Sequence, residues 1–331
     1  MEGSNFQCWD ELLPDALGLI FKNLPLEEIL TVMPRVCKSW CKVVLGPYCW
    51  QEIDIEEWSH HSEPWKVDRM LRLLIARSSG CLQKLCVAGL QDESIFSFIA
   101  DNLLLFIMQI EYCSIALSMS LTISLVYASA PSLHTLRLPR SSINDSIVKQ
   151  IAGKLSLVTF LDISYCIHVG ATALEVIGKQ CKLLSGLRRN MHPLDIASKL
   201  SQNDEAHAIA TSMRKIKHLE MAYLLIDTTA ALDIIGSCPD LQFLDMRGCW
   251  DVKLDDKYLM EKFPKLKILG PQVIDHFEKN ELEVCSDYSD SSYDYESSDG
   301  MWDDDEERLE GLELRFYNGF DDSVYEWPPS P

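Results

Sequence analysis

The amino-acid sequence predicts an α/β protein with three successive parts: a small group of N-terminal helices, a short solenoid of alternating strands and helices, and a disordered acidic tail. Helical apolar stripes fill residues 13–45, an apolar pattern recurs about every 25 residues between 82 and 269, and residues 281–331 carry 17 acidic and two basic residues. With 331 residues, of which 47% are hydrophobic, the chain can bury a core in two modest domains or in one extended repeat array.

The N-terminal helices are predicted from apolar residues at helical spacing. Three stripes follow one another: Leu17, Ile20, Phe21 and Leu24; Leu26, Ile29, Leu30 and Met33; Val36, Trp40, Val43 and Val44. Pro25 and Pro34 are predicted to end the first two helices, and Gly46-Pro47 the third. Three helices of about ten residues cannot enclose a dry core, so their surplus apolar surface needs either a partner protein or the domain that follows.

The order of residues in this region resembles a known motif. Its elements are Trp9-Asp10, Leu13-Pro14-Asp15, Ile20-Phe21, Leu24-Pro25, Leu30, Val36-Cys37-Lys38, Trp40 and Trp50-Gln51. This order resembles the F-box motif over residues 9–55. The resemblance implies binding to the Skp-type adaptor of a cullin-RING ubiquitin ligase. It assigns to the adaptor interface or its immediate support Trp9, Leu13, Pro14, Leu17, Ile20, Val36, Cys37, Trp40 and Trp50. Two leucines, at 12 and 13, separate Asp10-Glu11 from Pro14 and depart from the motif, which leaves the contact of Trp9 open.

Residues 81–275 contain a repeated apolar pattern, L-x-x-L-x-L, whose alternating last three positions suit a short strand. The sets are Leu82/Leu85/Val87, Leu133/Leu136/Leu138, Val158/Leu161/Ile163, Leu184/Leu187, Ile216/Leu219/Met221, Leu241/Leu244/Met246 and Leu266/Leu269. Their first members are separated by 51, 25, 26, 32, 25 and 25 residues, with helical patterns between them. A strand and a helix in each step predict repeats that bury their apolar faces by stacking.

The cysteine positions extend this pattern. Cys166 and Cys249 each follow the last apolar strand residue by three positions, and Cys181 and Cys238 each precede the next strand by three. The array resembles the cysteine-containing class of leucine-rich repeats that is common in F-box proteins. The expected organisation is therefore a three-helix F-box (9–55), a linker with a helix (56–80), a leucine-rich-repeat solenoid or horseshoe (81–275) and an acidic tail (276–331). The cysteines are expected to be small buried residues, because no zinc quartet has a familiar spacing.

The side chains between the buried strand positions are predicted to point to the concave face of the solenoid. The substrate-binding candidates on that face are Arg137, Arg140, Asp162, Tyr165, His218, Glu220, Tyr223, Asp245 and Arg247. The alternative is that most of them are simply solvated, since few interface residues carry much binding energy. The step of 32 contains additional residues around 190–193 and 202–205, and the loop that they predict is a second candidate site.

The step of 51 contains an anomalous apolar segment, residues 103–129, in which Glu111 is the only charge. Removing its 27 residues restores a step of 24. Its uncharged part, residues 112–129, reaches the lower limit for a membrane span, but many Ser and Thr and the lack of flanking basic asymmetry argue against that interpretation. The favoured hypothesis is a translated retained intron or a gene-model error, because the composition is that of translated thymine-rich sequence.

The tail from residue 276 is rich in Ser, Asp and Glu, and such blocks repel themselves and stay disordered. Tyr and Trp residues are interleaved with the acids, and Ser291 lies three residues before Asp294, a spacing that suits an acid-directed kinase. The net charge of the whole chain is −20, and no basic stripe is present, so nucleic-acid binding is not expected. Residues 1–5 lack a secretory signal, which predicts an intracellular protein of the nucleus or cytoplasm with no membrane association.

Two functions are consistent with this organisation. The first is the substrate-recognition subunit of an SCF-type (Skp-cullin-F-box) E3 ubiquitin ligase, which holds a protein on its repeats for ubiquitination and proteasomal degradation. The alternative is a scaffold that binds partners through the same modules without a cullin. An enzyme is not expected, because the sequence contains no phosphate loop, nucleophile motif or metalloprotease motif. Neither a cofactor nor a metal is predicted.

Overall fold

A computed structural model describes residues 9, 12–102, 133–192, 201–255, 259 and 261–271. The described residues fall into two compact units, the first up to Cys49 and the second from Trp50. The apolar segment predicted at 103–129 and the acidic tail predicted from 276 lie outside the described residues. Among the helices of the described ranges, none is long and apolar enough to cross a membrane.

The described part of the first unit is helical. It consists of α1 (Pro14–Phe21), α2 (Leu26–Thr31), α3 (Met33–Val36), α4 (Lys38–Leu45) and a 3-10 turn, Pro47–Cys49. Pro34 does not end the second helix as predicted: α2 ends at Thr31, and Pro34 lies in the first turn of α3, where a missing amide hydrogen is tolerated. The third predicted helix corresponds to α4, which begins after Cys37, whose sulfur accepts a hydrogen bond from the Trp40 amide.

The core of this unit forms where α1 packs against α4 and the 3-10 turn. Leu17 and Phe21 are at most 1% exposed, and the Phe21 ring meets Trp40 edge-on with 5.0 Å between centroids. Gly18 allows the turn to approach closely, because a Cβ at this position would lie 2.6 Å from the Tyr48 carbonyl oxygen. Small and aromatic side chains therefore set the spacing of α1 and the turn.

The second unit is built on an eight-stranded parallel sheet whose strands follow chain order. The strands are β1 (Glu52–Asp54), β2 (Lys84–Cys86), β3 (Thr135–Arg137), β4 (Phe160–Asp162), β5 (Gly186–Arg188), β6 (His218–Glu220), β7 (Phe243–Asp245) and β8 (Lys267–Leu269). Each of the seven apolar sets in the sequence contributes a strand, and β1 adds an eighth from residues that the sequence assigned to the F-box. Every strand is three residues long.

The repeat step sets the register of the sheet. The central residues of successive strands pair with one another from Ile53 through Leu85 and Leu136 to Leu244 and Ile268. From β1 to β7 these central residues are at most 3% exposed. Because side chains alternate across a strand, the residues on either side of each central position share the opposite face of the sheet.

Helices lie between consecutive strands from β1 to β7, as parallel pairing requires. They are α5 (Glu56–His60), α6 (Pro64–Ser78), α7 (93–102), α8 (Asp145–Ile151) with a 3-10 turn (Ala152–Leu155), α9 (Ala171–Gln180), α10 (Asn203–Ser212) and α11 (Thr228–Ser237). The repeat cysteines join neighbouring repeats: the thiol of Cys166 donates to the Leu138 carbonyl at 3.2 Å, and that of Cys249 to the Met221 carbonyl at 3.3 Å. Burial raises the pKa of the Cys166 thiol to about 11, so it stays protonated and can donate.

The long step after β5 contains a buried ion pair. Arg189 occupies the position that is aliphatic in other repeats, is 1% exposed, and donates to the Glu205 carboxylate on α10 at 3.0 Å. It also donates to the carbonyl oxygens of Val169, at 2.7 Å, and Cys166, at 3.2 Å. The guanidinium thus links α10 to the preceding repeat. Residues 193–200, the central part of the predicted loop, lie outside the described residues.

Candidate functional site

The first unit presents apolar side chains to solvent beside its core. Leu13 is 73% exposed and Ile20 is 42% exposed, and these positions lie two helical turns apart on one side of α1. Val36, at the end of α3, is 46% exposed. Exposed apolar groups of this size on a small helical unit are typical of a protein-binding surface.

The nine predicted adaptor-binding residues separate by burial. Those exposed are Trp9, Leu13, Pro14, Ile20 and Val36; those partly exposed are Cys37 and Trp40; those buried are Leu17 and Trp50. Trp50 belongs to the second unit, where the Arg77 guanidinium lies 5.8 Å from its ring centroid. The exposed residues can contact a partner directly, whereas Leu17 and Trp50 can contribute only by supporting the fold. Their assignment to an adaptor interface stays a prediction.

On the second unit, two rows of side chains cross the sheet on the face opposite the central leucines. The first row follows the central residues and comprises Asp54, Cys86, Arg137, Asp162, Arg188, Glu220, Asp245 and Leu269. The second row precedes them and comprises Glu52, Lys84, Thr135, Phe160, Gly186, His218, Phe243 and Lys267. Five of the nine predicted substrate-binding residues lie in these rows: Arg137, Asp162, His218, Glu220 and Asp245.

Charged side chains of the first row, together with one residue of α5, form an ionic ladder, here defined as Glu56, Arg137, Asp162, Arg188 and Glu220. Arg137 contacts Glu56 at 3.0 Å and Asp162 at 3.3 Å. Arg188 contacts Asp162 at 3.3 Å and Glu220 at 2.6 Å, and His218 contacts Glu220 at 2.6 Å. Each charge in the ladder therefore has a partner of opposite sign on a neighbouring element.

The Glu220 carboxyl is the most perturbed acid of the ladder. Burial alone would raise its pKa, but hydrogen bonds from Arg188 and His218 and the charge of Arg188 outweigh that effect and lower the pKa to about 2. The hydrogen bond to Glu220 in turn raises the pKa of the Arg188 guanidinium. Glu220 therefore stays ionised at physiological pH, and its contact with Arg188 links β5 to β6.

The remaining four predicted substrate-binding residues, Arg140, Tyr165, Tyr223 and Arg247, follow the strands. Arg140, Tyr165 and Tyr223 have φ between 57° and 62°, at the repeat position where glycine stands after β2 and β7. The Arg140 guanidinium lies 5.5 Å from the Tyr165 ring centroid, and His192 lies 4.4 Å from the same ring. Arg247 pairs with Asp245 at 2.6 Å.

The second row contains an aromatic group that the sequence analysis mostly missed. We call Phe160, His218 and Phe243 the platform. His218 and Phe243 stack with 4.5 Å between centroids and 10° between ring planes, and Phe160 lies 6.3 Å from His218. The sequence does contain a signal for these rings, because each occupies the position just before a central leucine, whereas the predicted candidates came mainly from the charged position just after it.

One group of possible metal ligands is found in the described residues: the side chains of Asp54, Glu56 and Cys86, whose ligand atoms lie within 4.8 Å of one another. Asp54 already contacts Lys84 at 2.9 Å, and Glu56 contacts Arg137 at 3.0 Å. Burial raises the pKa of the Cys86 thiol to about 12, which disfavours the thiolate that a metal needs. The donor set is therefore poorly suited to a cation.

A helical unit with an exposed apolar surface, followed by parallel strand-helix repeats with buried cysteines, defines an F-box/leucine-rich-repeat protein. The F-box domain family model matches residues 9–52. The chain is 47% identical to "F-box protein FBW2" of Arabidopsis thaliana over 348 aligned residues, covering 100% of this chain and 99% of that protein. It belongs to the plant F-box protein family.

More distant relatives agree with this assignment. "F-box protein SKIP19" of Arabidopsis thaliana is 28% identical, over 92% of this chain and 90% of the relative. "F-box/LRR-repeat protein 23" of the same plant is 27% identical, over 81% of this chain and 54% of the relative. These matches extend well beyond the F-box and include the repeats.

Proposed function

We propose that this protein is the substrate-recognition subunit of an SCF-type E3 ubiquitin ligase. Its first unit would bind a Skp-type adaptor and, through it, the cullin-RING core, and its repeats would hold the protein to be ubiquitinated. Degradation of that protein by the proteasome would follow. The protein would act in the nucleus or the cytoplasm, where it can meet these partners.

The observation that carries the proposal is the division of apolar residues along α1 and its N-cap residue, Leu13. Leu17 and Phe21 are buried and fix the helix against α4, whereas Leu13 and Ile20 remain exposed on the adjacent side. Membership of the F-box family supplies the partner that such a surface would bind.

In this role the chain would contribute proximity rather than chemistry. Holding a substrate next to a charged ubiquitin-conjugating enzyme converts an encounter between free molecules into an effectively intramolecular one. No catalytic residue of this chain is required. The charged groups of the ionic ladder are mutually neutralised, and this arrangement suits a rigid binding scaffold.

Direct binding of the full chain to a purified plant Skp-type adaptor tests the proposal. Leu13→Glu and Ile20→Glu are expected to weaken binding at least tenfold, because each places a charge in an interface that must lose water. Neither side chain belongs to the core, so the melting temperature should change little. Biolayer interferometry and circular dichroism measure the two quantities.

Leu232→Glu is the matched control, because Leu232 is an exposed leucine of α11 in the second unit, 38% exposed compared with 42% for Ile20. This variant should bind the adaptor like the unmodified chain. The proposal fails if the unmodified chain does not bind the adaptor, or if both α1 variants bind as well as Leu232→Glu.

A further inference from the structure

The platform is a continuous aromatic surface on an otherwise ionic sheet face. Phe160, His218 and Phe243 are all partly exposed, and they extend from β4 to β7. Neighbouring strands lie about 4.8 Å apart, so the rings cover roughly 14 Å across the sheet. His218 is fixed in place by its hydrogen bond to Glu220 and by its stacking on Phe243.

Gly186 makes this continuity possible. It is the member of the row that lies on β5, between Phe160 and His218. A Cβ at Gly186 would lie 2.5 Å from Cδ2 of Phe160, which shows that the phenyl ring leans over the β5 backbone. A side chain here would displace that ring and separate it from His218.

The basic and acidic side chains of this face near the platform differ in their exposure to solvent. The side chains of Arg137, Arg188 and Arg247 are 27%, 29% and 54% exposed, whereas those of Asp162 and Asp245 are each 2% exposed. Glu220 is 13% exposed. Near the platform the cationic groups are therefore more exposed than the carboxylates that pair with them, so a molecule that approaches the platform meets positive charge first. The exposed acids of the two rows, Glu52 and Asp54, lie on β1, at the far end of the sheet.

Cations also border the platform. The Arg188 guanidinium lies 5.7 Å from the Phe160 ring centroid, and the Lys267 ammonium lies 5.9 Å from the Phe243 centroid. Lys217, immediately before β6, is exposed. In the part of the chain that the structure describes, neither Lys217 nor Lys267 forms an ion pair, so both are available to a ligand.

We propose that the platform, with Arg188 and Lys267 at its border and the exposed Lys217 next to His218 in the chain, is the docking site for an acidic segment of a substrate protein that carries large apolar side chains. The rings would bury the apolar groups, and the cations would contact the flanking carboxylates. This inference rests on the proposed function and deepens it, because it names the part of the repeats that recognises substrate and the chemistry of the segment that binds.

Fluorescence anisotropy with three labelled twelve-residue peptides tests the site. The first alternates acidic residues with Phe and Leu, the second has Ala in place of the Phe and Leu, and the third has Lys in place of the acids. The full chain is expected to bind the first at least tenfold more tightly than either of the others. Phe160→Leu/Phe243→Leu, which keeps apolar volume, should weaken that binding about fivefold, and Lys217→Glu/Lys267→Glu should shift the preference to the Lys peptide.

Lys149→Glu/Lys253→Glu is the matched charge-reversal control, because both lysines are exposed and lie outside the two rows. It should leave peptide affinity unchanged. Equal affinity for all three peptides, or binding that the platform variants do not alter, overturns the proposal. So does a dimer of the chain that Phe160→Leu/Phe243→Leu dissociates, since the occupant would then be a second copy.

The last alternative occupant of the platform is an acidic segment of the same chain. If peptide binds only after residues 303–307 are replaced by Ser, the platform is occupied by the chain itself and the proposal is overturned. Adaptor binding, measured in parallel, separates this inference from the proposed function. An unmodified chain that binds the adaptor but shows no preference among the three peptides defeats the inference alone, whereas peptide binding without adaptor binding defeats the proposed function alone.

Discussion

Replacement of Arg189 by alanine tests how the repeats are joined at the long step after β5. Its position is occupied by Val87, Leu138, Ile163, Met221 and Met246 in other repeats, all of them buried. Alanine would remove the guanidinium and its contacts to Glu205, Cys166, Val169 and Met191.

The expected loss of stability follows from the polar groups that would remain without their partner. The Glu205 side chain is 11% exposed and would keep a negative charge without its cation, and two carbonyl oxygens would lose a donor. Removing one partner of a buried ion pair costs about 3–5 kcal/mol. For a unit of this size that corresponds to a fall in melting temperature of roughly 6–20 °C.

Replacing both charges distinguishes a lost pair from a lost side chain. Arg189→Met/Glu205→Leu supplies the kind of apolar residue that other repeats have, and it should be within about 2 kcal/mol of the unmodified protein or more stable. Urea unfolding followed by circular dichroism gives the free energies. Lys179→Ala is the surface control, because Lys179 and its partner Glu175 are both exposed, and it is expected to cost no more than about 1 kcal/mol. A cost below about 1 kcal/mol for Arg189→Ala, or a double variant less stable than the single one, would refute the reasoning.

Three further predictions address other contacts. Folding lowers the pKa of Glu220 to about 2, so its contribution to stability is complete above its ordinary pKa and is lost as the pH falls from about 4.5 towards 2. Glu220→Gln should remove this pH dependence. The free energy of urea unfolding should then change by about 1–2 kcal/mol less over that range, after allowance for screening. Gly18→Ala should destabilise the first unit by about 1–3 kcal/mol, because its Cβ would collide with Tyr48; a melting temperature equal to that of the unmodified chain contradicts this. With a pKa of about 11, Cys166 should resist iodoacetamide at pH 8 until urea unfolds the chain, as mass spectrometry of the peptides will report.

The strands could be predicted from the sequence because their signal is local and repeated. A central leucine with an apolar residue two positions later fixes both the strand and its buried face, and the step of 25 residues then gives the register. Arg189 shows where this signal stops. In that repeat the apolar pattern has only two of its three members, Leu184 and Leu187. Nothing in the local sequence indicates that Glu205, sixteen residues further on, pairs with Arg189 and allows it to be buried.

The contacts within the interaction surfaces could be predicted less well, because they also join residues that lie far apart in the chain. Arg137 and Asp162 could be placed on one face by alternation, but their pairing depends on contacts between strands 25 residues apart. Pro34 was predicted to end a helix because proline usually does so, yet a new helical turn begins there instead. Which of Leu13 and Leu17 is exposed follows from how α1 packs on α4, and the apolar stripe alone does not determine it.

Because the strands pair in chain order, the free energy needed to open the sheet is expected to differ from one repeat to the next. Each strand pairs only with its sequence neighbours, so the sheet resembles a one-dimensional chain of coupled units that can open from an end without unfolding the middle. Among the residues that the structure describes, β8 pairs with β7 alone, and its Lys267 is exposed. Hydrogen exchange should therefore be fastest at β8 and slowest near β4 and β5, and a ligand that contacts Lys267 would slow exchange there by holding the end of the array closed.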